Sequence, residues 1–427
     1  MKTRKFWLIL AVFVLIAAVN GANAQTLNTD EKKIVDYVDQ HGNDAIRLLQ
    51  QVVDIESPTE DLAGVRGVGD VFKKEFEALG MTARWIDMPA EAKRAGHLVA
   101  ETSGSKGKRI LLLGHMDTVL RGEKFRRDGD KGYGTGIGDM KGGDVIVLYA
   151  LKALNAAGLL KDTQIRVMFT GDEENSCDPV EVCRGDMIAL AKRSDAALSF
   201  EGAVRNTATV GRRGASSWRL EVTAKTGHSS GIFGERMGYG AIYEASRILN
   251  EFREALSKEK YLTFNPSLIV GGTTVNAKYP EGSATGKTNV IAGSTVVTGD
   301  LRFISEDQKE AARAKMREIA AKSLPGTKAT ITFEDGIPAM TPIEGNYALL
   351  RQLDKVSQDL GFGKVDALDP GERGAGDVAF VSNLVPSLDG IGMGGGENSH
   401  AKGESADLAS MPMLIKRAAI LIYRMTR

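Results

Sequence analysis

A chain of 427 residues, 42% hydrophobic and 26% charged, is long enough for two domains with a large buried core. Its 55 basic residues balance 55 acidic ones, so charge gives no reason to expect nucleic acid or an anionic membrane as partner.

The chain starts with an address rather than a fold. Lys2, Arg4 and Lys5 precede an uncharged apolar run from Phe6 to Val19, and Ala22-Asn23-Ala24 offers a small-x-small cleavage site before Gln25. This is the pattern of a signal peptide over residues 1–24, with an uncleaved anchor as the alternative; the run is short against the ~20 residues of a membrane span. The expectation is an exported mature protein, periplasmic or secreted, with no membrane attachment after cleavage. Cys177 and Cys183 are the two cysteines. An oxidising compartment favours a disulfide between them, although their spacing leaves two free thiols open.

Ile34, Val38, Ile46, Leu49 and Val53 form one stripe of a helix over 30–53, ahead of the stop at Ser57-Pro58. Phe72, Phe76 and Leu79 mark a second helix, with Gly80 at its C-terminal end. Strands are predicted at 83–86, 97–101 and 110–119, then a helix at 143–160 and strands at 164–170 and 196–200. Such alternation points to an α/β sheet covered by helices. From Ser217 to Lys225 apolar and polar residues alternate, the habit of a strand with one face in water. A helix with the stripe Ile242, Ala245, Leu249, Phe252 and Leu256 follows. Strands near 266–271 and from Ser294 to Phe303 come next, then a helix opened by Ser305 with Gln308 as a capping box. The reading is a catalytic domain in two parts, 25–211 and 337–427, with an inserted α+β two-layer sandwich at 212–336. The last helix carries Leu414, Ala418 and Ile422.

Polar residues gather where these strands end. In ILLLGHMDTV, His115 and Asp117 stand two apart on one strand face, which suits a metal ligand oriented by a neighbouring carboxylate; a satisfied structural histidine explains the pair equally well. In GTGIGDMKGG, Asp139 is a metal ligand or the N-cap of the next helix, and Gly142 and Gly143 let backbone pass close. VMFTGDEEN runs a buried strand into Asp172, Glu173 and Glu174. Their mutual repulsion asks for nearby cations, unless a solvated loop holds them. ALSFEGA places Glu201 directly after another strand, and GMGGGENSHAKGE sets His400 in a glycine-rich loop. Open α/β sheets place their sites at the strands' carboxyl edge. Of five histidines, His41 and His97 read as structural, whereas His115, His228 and His400 fall in glycine-containing polar segments.

HMDTV, GIGDMKGG, GDEEN, SFEGA, TGHSSG and NSHAKGE, in this order over about 80–410, resemble the family of acetylornithine deacetylase, succinyl-diaminopimelate desuccinylase and glutamate carboxypeptidase. Within it the chain is most similar to the exported bacterial glutamate carboxypeptidases. The resemblance implies a mixed-sheet zinc-exopeptidase catalytic domain with helices on both faces and an inserted lid and dimerisation domain. It implies two zinc ions per subunit bridged by Asp139, with His115 and Glu201 completing one site and Glu174 and His400 the other. Glu173 is then general base toward a hydroxide shared by the ions, Asp117 orients His115, and His228 polarises the scissile carbonyl, often from the partner subunit. Asn289 and Arg302 match the residues that hold the substrate carboxylate. The implied activity is hydrolysis of a small peptide or N-acyl amino acid beside a free carboxylate by a homodimer. A deacylase or dipeptidase is the alternative, and a ligand-binding protein without turnover is the rival of another class. The loop GERGAGDVAF around Asp377 departs from the GGTDA-like sequence of many members, so substrate contacts there are expected to differ.

Overall fold

The structure, a computed structural model, describes residues 27–427; the predicted signal peptide lies outside them. Helix α1 (Thr29–Val53) starts with a capping box, Asn28 accepting from Glu31 N while Glu31 accepts from Asn28 N, both at 2.9 Å. Helix α2 (Leu62–Ala78) and strands β1 (Thr82–Ile86), β2 (His97–Glu101) and β3 (Lys106–His115) follow. Helix α3 (Gly142–Ala156) leads to β4 (Thr163–Thr170), then α4 (Val180–Ala191) to β5 (Ala196–Ser199). Helix α3 stops earlier than the sequence pattern suggests because Gly158, at φ +74°, turns the backbone left-handed just beyond it.

The next stretch holds β6 (Gly214–Ala224), α5 (Ala241–Leu256), β7 (Thr263–Gly272), β8 (Ser294–Phe303), α6 (Glu306–Ala321) and β9 (Thr327–Asp335). After it come α7 (Glu344–Asp359), the short strand β10 (Ser387–Leu388) and α8 (Met411–Met425).

Two sheets carry the architecture. The first has strand order β1-β2-β4-β3-β5-β10; β4, β3, β5 and β10 run parallel, and β1 and β2 join antiparallel at one edge. Because successive side chains on a strand face opposite ways, the run 110–113 divides between two layers. Ile110 and Leu112 enter the core shared with α1, α3 and α8, while Leu111 and Leu113 enter the core under α4. Helices therefore cover both faces, which explains an uninterrupted apolar strand where alternation would be the signature of a half-wet one.

The second sheet, β7-β8-β6-β9, is antiparallel throughout and has its own core against α5 and α6. Trp218, Leu220 and Val222 point inward as the alternation requires. Two details depart from the sequence reading. In α5 the inward stripe is Ala241, Ala245, Ile248, Phe252 and Leu256; it keeps Ala245, Phe252 and Leu256 of the predicted one but buries Ala241 and Ile248 in place of Ile242 and Leu249. At the start of α6, Ser305 Oγ accepts from Gln308 N at 3.1 Å, but the Gln308 side chain reaches back to Ile304 N rather than to Ser305. An exposed hairpin, Thr274–Lys278 with Glu281–Thr285, was not anticipated. No helix of the described residues is long and apolar enough to cross a membrane.

Candidate metal centre

The three parallel strands β3, β4 and β5 deliver polar groups to one edge of the first sheet. His115 is the last residue of β3, Glu173 and Glu174 follow β4, and Glu201 follows β5. Asp139 comes from the turn before α3 and His400 from the loop before residue 405. That turn needs glycine: Gly136 sits at φ +79°, and a Cβ on Gly143 would lie 2.0 Å from the Phe200 carbonyl oxygen.

Asp139 is the hinge of the arrangement. Its Oδ1 lies 3.2 Å from His115 Nε2, which is itself 3.7 Å from Glu201 Oε1. Its Oδ2 lies 2.9 Å from His400 Nε2, which is 3.2 Å from Glu174 Oε2. Each carboxylate oxygen thus faces its own histidine and glutamate, and each trio keeps its donor atoms within 4.8 Å. The carboxylate does not cap α3, whose start has no side-chain cap. Ligands about 2.0–2.2 Å from one tetrahedral zinc stand roughly 3.3–3.6 Å apart. The separations through the two histidines, 2.9 to 3.7 Å, lie around that spacing, with imidazole and carboxylate as donors.

Surrounding bonds fix the donors. His115 is 1% exposed; its Nδ1 lies 3.1 Å from the Asp117 carbonyl oxygen and 3.4 Å from Asp117 Oδ1. Asp117 in turn accepts from Thr59 Oγ1 at 2.7 Å and from the backbone N–H groups of Glu173 and Glu174 at 3.1 Å. A ring nitrogen held this way leaves Nε2 free to face Asp139. Ser399 Oγ donates to Asp139 Oδ2 at 2.8 Å.

Charge is concentrated here, buried on the side of His115 and Glu201 and open to solvent on the side of His400. Burial pushes Glu173 well above the usual carboxylate range, with neighbouring carboxylates adding to the rise, and raises Glu201 to about 7 with help from Asp139. Burial lowers His115, but its hydrogen bonds to Asp117 and Asp139 overcome that and leave the imidazole well above its usual value. Burial raises Asp139 and the bonds to His115 and His400 reverse it, so its carboxyl is held well below the ordinary range. A dication between these groups favours the carboxylate form of every acid present.

Several functional side chains escaped the sequence reading. Glu404 accepts from the N–H groups of Gly136, Gly138 and Asp139 at 2.7, 2.9 and 3.1 Å, so it holds the turn that presents Asp139. The signal was available: a glycine-rich turn bares backbone donors that need an acceptor. Asp172 turns away from its two glutamate neighbours. It pairs with Arg184 at 2.6 Å, which also donates to Asp377 at 2.7 Å, while Thr170 fills the other Asp377 oxygen. The departing loop is therefore tied into the wall behind the site. Cys177, in the segment between Glu174 and α4, is bridged to Cys183 in the first turns of α4. His97 is buried, with Nε2 against the Cys183 carbonyl and Nδ1 accepting from Gly171 N, while His41 stacks on Tyr37.

The structure does not bring every predicted residue to this cluster. His228 is exposed, its Nδ1 2.8 Å from Ser230 Oγ. Asn289 is exposed and its carbonyl accepts from Ser229 N, while Arg302 Nε is bonded to Asp300. His228 joins no group of metal-ligating side chains among the described residues.

The family described as Peptidase family M20/M25/M40 matches residues 111–424. Carboxypeptidase G2 of Pseudomonas sp. (strain RS-16) is 29% identical over 394 residues, 88% of each chain. Succinyl-diaminopimelate desuccinylase of Acidovorax ebreus (strain TPSY) is 27% identical over 299 residues, 64% of this chain and 72% of that one. Among solved structures, the aminopeptidase PepT of Bacillus cereus ATCC 10987 superposes with a TM-score of 0.71 at 16% identity, covering 90% of this chain and 99% of the other. A dinuclear metal-binding peptidase of Bacillus subtilis gives 0.62 at 13% identity, covering 91% and 99%. The fold, the cluster of histidines and carboxylates and the match over most of its length make this chain a member of the M20/M25/M40 peptidase family.

Proposed function

We propose that the mature chain is an exported dizinc hydrolase that cleaves an amide bond beside a free carboxylate, acting as a glutamate-carboxypeptidase-like exopeptidase. The observation that carries it is Asp139, with one histidine and one glutamate at each oxygen and Glu173 beside them. Imidazole among the donors favours zinc over magnesium. His115, Asp139 and Glu201 would hold one ion, and Asp139, Glu174 and His400 the other. Bound there, a zinc pair lowers the pKa of water toward neutrality and polarises a carbonyl.

The chain's own residues do the rest. Glu173 takes the proton of the attacking water and returns it to the leaving amine. Asp117 keeps His115 in the tautomer that leaves Nε2 free. His228 stabilises the developing oxyanion. Asn289 and the Arg302 guanidinium hold the substrate carboxylate, a fork being suited to it. Because His228 and Arg302 sit on the second sheet or beside it, the reaction needs closure or a second subunit. We assign that role to residues 212–336 as a lid within a homodimer.

The likeness to Carboxypeptidase G2 over 88% of both chains supports the carboxypeptidase reading, and the likeness to desuccinylases favours an N-acyl amino acid deacylase as the second. A panel of dipeptides, folate-like glutamates and N-acyl amino acids assayed with the zinc-loaded protein decides between them. Fastest turnover of substrates ending in glutamate is expected. Preference for N-acyl amino acids selects the deacylase, and no turnover of any member contradicts both.

A further inference from the structure

Behind the metal cleft lies a second cavity of about 380 Å³, walled by α7, α8 and the segment after Glu201. It shares Ala203, Gly394 and Gly395 with that cleft but none of the metal-ligating side chains. Leu353, Phe362, Val365 and Met413 make most of its surface apolar. The volume falls in the roughly 300–1,000 Å³ range of small-molecule sites.

Arg417 stands in this apolar wall at 7% exposure. Its Nη2 donates to Ser357 Oγ at 2.7 Å and to the Phe362 carbonyl at 3.3 Å, and its Nε has no acceptor. Among the described residues no carboxylate pairs with it. Burial alone acts on this guanidinium and lowers its pKa. Of the other charged groups at the cavity, Arg205 pairs with Glu372, and Asp407 accepts the Ala409 N–H at the start of the turn that leads into α8. A buried cation without a counter-ion is costly, and an anion reaching it from the cavity would restore the missing partner.

We propose that this cavity is a binding site for a small organic anion, an aryl or alkyl carboxylate whose apolar body fills the pocket and whose carboxylate pairs with Arg417. The site is separate from the metal centre and does not rest on the proposed activity.

Calorimetric titration of the full mature, zinc-loaded protein with 4-phenylbutyrate and with the neutral 4-phenylbutanol tests it. The acid is expected to bind about tenfold tighter than the alcohol, a difference of about 1.4 kcal/mol. Arg417→Met should abolish that preference while the alcohol still binds. Ala418→Phe fills the cavity and should weaken both ligands, which keeps the test decisive where the arginine variant does not fold. Equal binding of the two probes by the unaltered protein overturns the proposal. So does acid binding undiminished in Ala418→Phe, which would place the carboxylate at the metals.

Discussion

The edge of the first sheet and the turn that carries His228 hold histidines in opposite conditions. His115 is buried and bonded at both ring nitrogens, in a wall built from three strand ends, two loops and a glutamate that fastens the Asp139 turn. His228 is exposed and bonded only within its own turn, to Ser230. Metal-holding groups gain from being fixed in advance, since each disordered ligand adds ordering entropy to the cost of binding. A group that polarises a substrate carbonyl has no such need until substrate arrives. The difference separates a preformed half of the site from a half that must be delivered to it.

Single substitutions should act on the two halves in different ways. Glu173→Ala is expected to lower kcat by roughly 10²- to 10⁴-fold, the range for a lost general base, while metal analysis still finds two zinc ions per chain. Loss of zinc instead would make Glu173 a ligand. His228→Ala should lower kcat by roughly 10²- to 10³-fold with zinc affinity and melting temperature unchanged, because nothing in the preformed half touches it. Coupled loss of zinc would contradict the division.

Glu404→Gln removes the charge that accepts three N–H bonds under Asp139 and should weaken zinc by roughly 10- to 100-fold in a chelator competition. An unchanged affinity would show that the turn holds itself.

The smallest effect concerns pH. Without metal, burial and Asp139 raise Glu201 from 4.5 to about 7, and the Asp139 and Glu174 carboxylates raise His400 from 6.5 to about 10. Both folded values exceed the unfolded ones, so the stability these groups contribute is complete in acid and is lost as pH rises through the folded values. Asp139 has the opposite sign, but its loss lies below its ordinary 3.8. The metal-free protein should therefore melt progressively lower from about pH 5 to about pH 8, above which buried Lys141, lowered to about 8, acts in the opposite sense, and zinc should flatten the curve. A metal-free melting temperature that rises over this window would contradict the charge balance.

The elements of the first sheet were legible because burial on both faces leaves long apolar strands, and their ends announce themselves by an abrupt polar residue, as at His115 and Glu201. What the sequence did not disclose depends on direction. Asp172 reads as the equal of Glu173 and Glu174, yet successive side chains after β4 diverge, and Asp172 goes to Arg184 twelve residues on. Glu404 acts through backbone donors 265 to 268 residues away, a pairing no local pattern contains. In α5 the stripes through Ile242 and through Ile248 are both helical in period, and only the sheet decides which faces inward. The position of His228 relative to the metals depends on how the second sheet moves or pairs, which local patterning does not encode.

Crystals of the zinc-loaded protein, measured at and below the zinc absorption edge, would locate the ions directly. Two anomalous peaks flanking Asp139 are expected, one beside His115 and Glu201 and the other beside Glu174 and His400. A single peak, or peaks that leave either oxygen of Asp139 without an ion, would contradict that arrangement.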